Sequence, residues 1–551
     1  MYPMPDELVF LPLGGVGEIG MNLSLYGLDG KWLMVDLGVS FGDDSTPGVD
    51  VFMADPAFIV ERRKDLLAIV LTHGHEDHLG AVGHLWPRLR CPVYATAFSL
   101  ALLKAKLREA NLDGDVDLRE LPLSGRATIG PFDVELVTQT HSIPEPNSLA
   151  IHTALGTVLH TGDWKFDPQP LIGSTADTER LGALGEEGVL AVVGDSTNVF
   201  KKDAAGSEAA VRASLIELIG RYSGRIAVAC FATNVARLES IAVAAATHGR
   251  QVALVGRSLL KIDKAARDNG YLSDLPPFLG ESDAAHLPVD KVLYICTGSQ
   301  GEPRAALSRI ATGNHAHVAL GQGDVAIFSS RIIPGNEKSI HQLQNQLARR
   351  GVEIVTERDH FVHVSGHPGR VDMSRLYGLV RPRIAVPVHG EARHLLEHAE
   401  LARSCQVPLA IVIGNGDVLR LAPGEPQVIE QVPTGRLAVD GNRLVSMTSE
   451  IMRERHRMVH NGGAVVTLVV DRFGKLQGEP QISAFGLLDA EHEAEEHEAV
   501  VEAVRDAVAV LPMPARQNDG VVREAVRVAV RSHLKKSHGK KPLTDVHLVR
   551  I

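Results

Sequence analysis

His73-Gly74-His75-Glu76-Asp77-His78 puts four potential metal ligands, His73, His75, Asp77 and His78, on one short loop, and few loops have another use for that arrangement. The loop follows an apolar run, Leu66 to Leu71, that reads as a buried strand, and it precedes Gly80-Ala81-Val82-Gly83, which can open a helix. The ligands therefore belong at a strand's C-terminal end. Imidazole nitrogen and carboxylate oxygen suit zinc or manganese, and so tight a set supplies more donors than one tetrahedral ion needs, so two ions are implied. A solvated, histidine-rich turn is the plainer alternative, and residues further along decide between the two.

Four later segments look like the rest of such a centre: Thr140-His141-Ser142, Thr161-Gly162-Asp163, Gly194-Asp195-Ser196 and Pro387-Val388-His389-Gly390. Each ends or closely follows an apolar run that reads as a strand: Val134 to Val137, Thr157 to His160, Leu190 to Val193 and Ile384 to Val388. Taken singly, each polar group could equally cap a strand or satisfy the core. Taken in order, they place polar groups at the ends of adjacent strands, where a sheet-built site belongs.

At this point the chain resembles the metallo-β-lactamase superfamily, with its HxHxDH loop, then a single His, a bridging Asp and a late His. The resemblance implies that His73, His75 and His141 hold one ion, that Asp77, His78 and His389 hold the second, and that Asp163 bridges them. Two ions roughly 4 Å apart lower the pKa of a shared water and place the nucleophile in line with a phosphoryl or carbonyl group, so the chemistry is hydrolysis.

Asp163 and His389 would share one site across more than two hundred residues of sequence, so a substantial domain must lie between them. The segment from about 205 to 355 alternates helical stretches, Ser207 to Arg221 and Asn234 to Gly249, with short apolar strands, Arg225 to Cys230 and Gln251 to Val255. That alternation predicts a parallel α/β sheet with helical crossovers, and Ser207 is placed to cap the first helix. The insertion and its flanks carry Gly194-Asp195-Ser196-Thr197-Asn198, Phe231-Ala232-Thr233-Asn234, Thr297-Gly298-Ser299-Gln300-Gly301-Glu302-Pro303, the run from Ser329 to Glu337, and His363-Val364-Ser365-Gly366-His367. Together these resemble the β-CASP branch of the superfamily, and within it the ribonuclease J family, from about residue 8 to the C-terminus.

What that resemblance implies is specific. The fold would be α/β: a metallo-β-lactamase αββα sandwich in two parts, residues 1–205 and 356–445, an inserted parallel α/β β-CASP domain over 206–355, and a small C-terminal α/β domain over 450–551. The activity would be metal-dependent hydrolysis of RNA, 5′-to-3′ exonucleolytic with a preference for a 5′ monophosphate and also endonucleolytic, in ribosomal RNA processing and mRNA decay. Asp77, Asp195 and His367 would act in catalysis, with Asp195 orienting a protonated His367 that donates to the departing 3′ oxygen. Thr233, Asn234 and the run His363, Val364, Ser365, Gly366 and His367 would hold substrate, the glycine turn exposing N–H donors to a neighbouring phosphate. Phe231-Ala232-Thr233-Asn234 departs from the Phe-Ala-Ser-Asn expected, though Thr233 keeps a hydroxyl. The cofactors would be two divalent ions, zinc with manganese as the alternative, and a structural calcium near Gly48, Asp50 and Asp440, where oxygen ligands suit it. The partners would be single-stranded RNA, a second copy or four copies joined through the C-terminal domain, and an RNA-degradation assembly.

Composition agrees with a large cytoplasmic enzyme. A chain of 551 residues exceeds one hydrophobic core, and 44% apolar with 22% charged content argues against extensive disorder. Cys91, Cys230, Cys296 and Cys405 are scattered, which fits neither a disulfide framework nor a zinc knuckle. No apolar segment approaches the roughly 18 residues of a membrane span, and Met1 to Leu11 lacks the basic start of an export signal. A net charge of -11 does not exclude nucleic acid, because bound cations and local basic clusters can outweigh it.

Three features invite misreading. Gly15-Val16-Gly17-Glu18-Ile19-Gly20 matches a dinucleotide fingerprint, but two hairpin strands follow it rather than a helix, so the glycines read as a tight loop beside the metal centre. The basic run from Arg531 to Lys541 and the acidic run from Asp489 to Glu498 both read as solvated helix. Leu421 to Val432, with Pro423-Gly424-Glu425-Pro426, reads as a linker, with Arg436 to Val445 packing as strands on the core. The remaining segment predicts strands at Ala464 to Val470, Gln481 to Phe485 and Asp545 to Ile551, with helices at Glu491 to Val510 and Gly520 to Ser537. Against the ribonuclease stand a DNA-processing β-CASP nuclease, a non-nucleolytic hydrolase of the wider superfamily, and a non-catalytic scaffold that has kept the fold. The large insertion counts against the second and the full ligand set against the third.

Overall fold

The structure, a computed structural model, describes residues 6–43, 46–333, 335–489 and 493–551. Among these residues two sheets face each other across one core. The first has eight strands, in the order Gln427–Gln431, Asp417–Ala422, Leu8–Gly14, Leu23–Leu28, Lys31–Val35, Leu66–Val70, Val93–Ala95 and Leu118–Glu120. The second has seven: Arg126–Ile129, Phe132–Thr138, Asn147–Thr153, Gly156–His160, Val189–Asp195, Ile384–Val388 and Leu409–Ala410. Phe10, Tyr26, Leu33 and Val70 of the first sheet meet Phe132, Leu149, Val193 and Val386 of the second in a dry core. Helices Thr178–Glu187, Arg370–Val380 and Ala392–Ser404 cover the second sheet's outer face, completing an αββα sandwich.

Local sequence explains the hairpins. Leu23–Leu28 and Lys31–Val35 are joined by Asp29-Gly30, both at positive φ (51° and 70°), the pair of residue types that this two-residue turn demands. The Pro423 to Pro426 segment is not a linker. It is the turn of a second hairpin, Asp417–Ala422 with Gln427–Gln431, at the edge of the first sheet.

Between Val189–Asp195 and Ile384–Val388, which pair side by side, the chain builds a five-stranded all-parallel sheet in the order Gln251–Val255, Val292–Cys296, Ile226–Ala229, Val325–Phe328 and Glu353–Val355. Its central strands are apolar on both faces, as a sheet covered by helices on each side requires, and a separate core lies on either side of it. Ser207 caps helix Glu208–Ile219 through its hydroxyl, which accepts from the Ala209 N–H at 3.2 Å. The segments Phe231 to Asn234, Thr297 to Ser299 and Ser329 to Arg331 all follow C-terminal strand ends, the edge at which open α/β sheets bind ligands.

A second compact unit comprises residues 41–52 and 436–551. The hairpin Arg436–Asp440 with Arg443–Ser446 belongs to this unit rather than to the main core. Asp440 accepts from Arg443 at 2.9 Å and from Arg455 at 2.7 Å, so two guanidinium groups already meet the carboxylate assigned to a structural cation with Gly48 and Asp50. A three-stranded sheet, Gln481–Phe485, Gly463–Val470 and Leu543–Arg550, packs on helices Ala494–Ala509 and Asp519–His538 through a valine-rich core. Helix Glu450–Asn461 precedes it, unanticipated because its sequence is mostly polar. Part of the acidic run, residues 490–492, lies outside the described residues, as does Pro334 of the Ser329 to Glu337 segment. Among the described residues no helix is long and apolar enough to cross a membrane.

Candidate dinuclear metal centre

The strand Leu66–Val70 delivers the histidine loop to the seam between the two large sheets, and a one-turn helix, Glu76–Leu79, folds it back on itself. Space there is tight: a Cβ at Gly38 would lie 1.6 Å from the Asp77 carbonyl oxygen, so only glycine lets this neighbouring loop close on the ligands. Glu76, the one acid of the loop outside the cluster, pairs with Lys106 at 2.7 Å.

All seven residues expected as ligands converge. His73 Nε2 and His141 Nε2 each lie 3.0 Å from His75 Nδ1, and Asp163 Oδ2 lies 3.9 and 3.8 Å from the first two. On the other side of Asp163, His78 Nε2 is 3.2 Å from its Oδ2 and His389 Nδ1 is 3.0 Å from its Oδ1, while Asp77 Oδ2 lies 3.5 Å from His78 and 3.3 Å from His389. The potential ligand atoms of each four-residue group fall within 4.8 Å of one another, and Asp163 belongs to both groups.

Two observations test whether cations fit. The outward nitrogens are already engaged: His141 Nδ1 with the Gly366 carbonyl at 2.6 Å, His78 Nδ1 with Asp36 at 2.7 Å, His73 Nδ1 with the Thr72 hydroxyl at 3.0 Å. For His73 and His141 that leaves the inward nitrogens as lone pairs facing His75 Nδ1, which a cation between them would satisfy, while the inward nitrogen of His78 faces the Asp163 carboxylate. His389 Nε2 is buried and faces the Asp77 carboxylate at 3.3 Å without forming an aligned hydrogen bond, as two ligands of one ion would. The residues therefore fit a pair of divalent ions.

Electrostatics divides the cluster. Burial, reinforced by the neighbouring imidazoles His78 and His75, holds His73 well below its ordinary pKa; burial brings His75 down to about 4 and also lowers His141. These three are neutral at physiological pH, the form that ligates a metal. His78 and His389 go the other way. Burial opposes their charge, but Asp163 and the carboxylates beside it outweigh burial and raise both well above the ordinary value. The carboxylates on this side call for positive charge, which a second cation would supply.

A third cluster adjoins these two. His367 Nδ1 lies 2.8 Å from Asp195 Oδ2 and 3.8 Å from Asp163. The other Asp195 oxygen accepts from the Thr197 N–H at 2.9 Å and hydroxyl at 2.7 Å, which fixes the carboxylate. Burial works against a charged His367, yet Asp195 and then Asp163 raise its pKa. Four residues earlier, His363 Nδ1 is buried without a hydrogen-bond partner among the described residues, and burial, then the charges of Arg237, Lys165, Arg331 and Lys201, push the imidazole well below its usual range. Ser365 Oγ accepts from Asn198 Nδ2 at 2.6 Å and from the His367 N–H at 3.2 Å, so its own proton is left to donate. Gly366 approaches so closely that a Cβ would lie 2.6 Å from the His141 ring.

Other expected residues have different jobs. The Asn234 side chain is buried and caps helix Val235–Thr247, accepting from the Arg237 N–H at 2.9 Å with its amide 3.4 Å from Glu208. It is a structural cap, and only Thr233 of that pair is partly exposed. Val364 lies in the core of the inserted sheet, leaving only its backbone for a ligand. The GxGxxG loop sits beside the centre, with the Gly15 carbonyl accepting from the His389 N–H at 2.7 Å. Sequence reasoning missed Asp36, which holds both Thr72 and His78, and Asn22, whose amide meets the Asp77 carbonyl at 3.0 Å. The only signal for either was its place next to a strand end. Cys91 and Cys230 are free, buried, and raised to about 12, outside this chemistry.

Comparison with known proteins follows the same division. Residues 17–219 match the metallo-beta-lactamase superfamily, 223–347 the ribonuclease J beta-CASP domain, 351–408 a Zn-dependent metallo-hydrolase RNA specificity domain, and 450–551 the ribonuclease J C-terminal domain. The chain is 44% identical to ribonuclease J of Sinorhizobium meliloti, covering 99% of this chain and 98% of that one. It is 37% identical to ribonuclease J of Mycolicibacterium smegmatis (99% and 98%) and 34% to that of Thermus thermophilus (98% and 94%). A protein of unknown function from Enterococcus faecalis shares the fold, with a TM-score of 0.53 at 16% identity over 75% of this chain and all of that one. With its histidine and aspartate cluster intact and relatives matched along nearly its whole length, the chain belongs to the ribonuclease J family of metallo-β-lactamase-fold hydrolases.

Proposed function

We propose that this chain hydrolyses single-stranded RNA from a 5′-monophosphorylated end toward the 3′ end, and also cuts internally, in RNA maturation and decay. The observation that carries the reading is the continuity of His363 to His367: one short loop joins a buried, cation-ringed imidazole suited to a phosphate with an imidazolium suited to proton donation. A 5′ phosphate seated at His363 and Ser365, with Lys165, Lys201 and Arg331 around it, would set the first phosphodiester at a fixed distance, beside His367 and the ligand cluster.

His73, His75 and His141 would hold one divalent ion, Asp77, His78 and His389 the other, with Asp163 between them. Bound there, the ions would lower the pKa of a water and neutralise charge on the phosphoryl oxygens. Asp77 is 28% exposed, whereas Asp163 and Asp195 are 3% or less, so Asp77 is the carboxylate placed to orient the attacking water. The water oxygen, its proton passing to solvent by way of the Asp77 carboxylate, bonds to phosphorus as the P–O3′ bond breaks, and His367, whose proton affinity Asp195 raises, gives its Nε2 proton to the leaving 3′ oxygen. The products carry a 5′ phosphate and a 3′ hydroxyl.

Zinc is the favoured metal, with manganese the alternative that the same His and Asp donors accept. Calcium at Gly48, Asp50 and Asp440 would have to displace two guanidinium groups from Asp440. The C-terminal module is the proposed self-association surface, for a dimer or tetramer, and an RNA-degradation assembly in the cytoplasm is the proposed setting. Two RNAs of one sequence, 5′-monophosphorylated and 5′-triphosphorylated, together with the matching DNA, test the reading when incubated with the metal-loaded protein and with His75→Ala. Faster mononucleotide release from the monophosphate RNA, lost in the variant, is expected. Cleavage of DNA alone would move the assignment to a DNA-processing nuclease.

A further inference from the structure

Phe200 stands half-exposed on the loop that leaves Asp195, followed at once by Lys201 and Lys202. A lone exposed phenylalanine means little by itself. This one is held. Its ring meets the His394 ring edge-on, centroids 5.2 Å apart, and the Arg393 guanidinium lies 5.7 Å from its centroid. Arg393 is in turn fixed by Glu391 at 3.0 Å.

The support beneath the ring belongs to the catalytic turns. A Cβ added at Gly390 would lie 2.9 Å from His394 Cβ and 3.0 Å from Ser196 Cβ, so His394 packs on the immediate neighbours of His389 and Asp195. Two residues before Phe200, Asn198 donates to Ser365 Oγ at 2.6 Å and to the His367 carbonyl at 3.1 Å, and accepts from Arg331. The loop that carries the ring thus also ties down the phosphate-binding and proton-donating residues.

The contacts derived so far reach only the backbone of a nucleic acid. Bases must still be accommodated beside a phosphate so placed, and every base offers a π face to an aromatic ring whatever its sequence. The ring is flanked by the Arg393 guanidinium, Lys201 and Lys202 follow it in sequence, and Arg331 reaches the same loop at Asn198, so the cations gathered on this loop suit a polyanion better than an apolar protein surface. We propose that Phe200, flanked by Arg393, is a stacking platform for one nucleobase of the bound RNA strand, independent of base identity. This rests on the RNA-cleaving reading above.

The test is steady-state kinetics of the metal-loaded full chain on 5′-monophosphorylated single-stranded RNA, with Phe200→Ala, Phe200→Tyr and Arg393→Gln. Removing a stacking ring should raise KM about tenfold and leave kcat within about twofold, Phe200→Tyr should restore KM, and Arg393→Gln should raise it by a smaller factor. A series of RNAs, each with one abasic nucleotide, locates the base. At one position the abasic change should cost the wild type what Phe200→Ala costs, and cost the variant nothing more. An unchanged KM, a fall in kcat alone, or abasic effects equal in wild type and variant at every position would each overturn the platform while the ribonuclease reading stands. Failure of the wild type to cleave RNA would remove both.

Discussion

The candidate metal cluster and the proposed phosphate pocket at His363 are built on opposite principles. On the metal side, His73, His78 and His141 each have the second nitrogen held by an outer partner: Thr72, Asp36 and the Gly366 carbonyl. At the proposed phosphate pocket, His363 is partly exposed, yet its Nδ1 is buried with no hydrogen-bond partner among the described residues and lies in a field of positive charge. The first arrangement is fixed in geometry before any ion arrives. The second leaves charge and a donor in want of an anion, so its energy is realised only when substrate binds.

Asp163 draws the contrast most sharply, because it belongs to both ion groups and to the cluster around His367. Asp163→Asn should abolish activity, by at least about 10³-fold in kcat/KM, and reduce metal content measured by elemental analysis. Near-normal turnover would remove the bridging role. His367→Ala should come next: kcat down by about 10²- to 10⁴-fold with both metals retained, since a general acid has been lost and no ligand. If metal content fell in parallel, His367 would be a ligand and the division between the halves would be misdrawn.

Asp36 sharpens the comparison without touching an ion. It accepts from the Thr72 N–H at 2.8 Å and holds His78 at 2.7 Å, so Asp36→Ala should weaken metal affinity by about 10- to 100-fold, measurable by calorimetric titration. Activity at saturating metal should largely return. On the other side, Arg331→Gln should leave metal affinity alone and reduce the preference for monophosphate over triphosphate RNA by about tenfold. A loss of metal affinity in that variant would show that the two halves are not separable.

Legibility in the sequence follows the same line. That the candidate ligands converge was readable because a histidine loop at a strand's end has few other uses, and because strands such as Ile384–Val388 are unbroken apolar runs. The parallel inserted sheet was readable for the same reason, from strands that must be buried on both faces. What could not be read were partnerships across the chain. Asp36 to His78, Asn198 to Ser365 and Arg331 to His363 join residues whose individual types are ordinary on any surface. Asn234 carries a polar side chain that suits a substrate as well as a helix cap, and its burial and its bond to the Arg237 N–H were not legible from residue type. The Pro423 to Pro426 segment misled because turn residues mark a hairpin and a linker alike.

The smallest effect concerns what supports both halves from behind. His398 is buried beneath the catalytic turns, with Nδ1 2.8 Å from the Ser196 hydroxyl and Nε2 2.8 Å from the Tyr377 hydroxyl. Burial, opposed by Asp195 and aided by Arg370, brings its pKa down to about 4. A folded-state pKa below the unfolded value near 6.5 means that the unfolded chain binds the proton first. Stability should therefore fall as pH drops from about 6.5 toward 4, by roughly 3 kcal/mol at most from this group. His398→Gln keeps hydrogen-bonding capacity but cannot titrate. It should be less stable than the wild type at neutral pH and lose less stability on acidification across that window, as followed by urea unfolding at fixed metal concentration. Equal pH slopes in the two proteins would mean that His398 opens to solvent before the fold gives way, and that the Ser196 to Tyr377 bridge is not what holds the Asp195 turn in place.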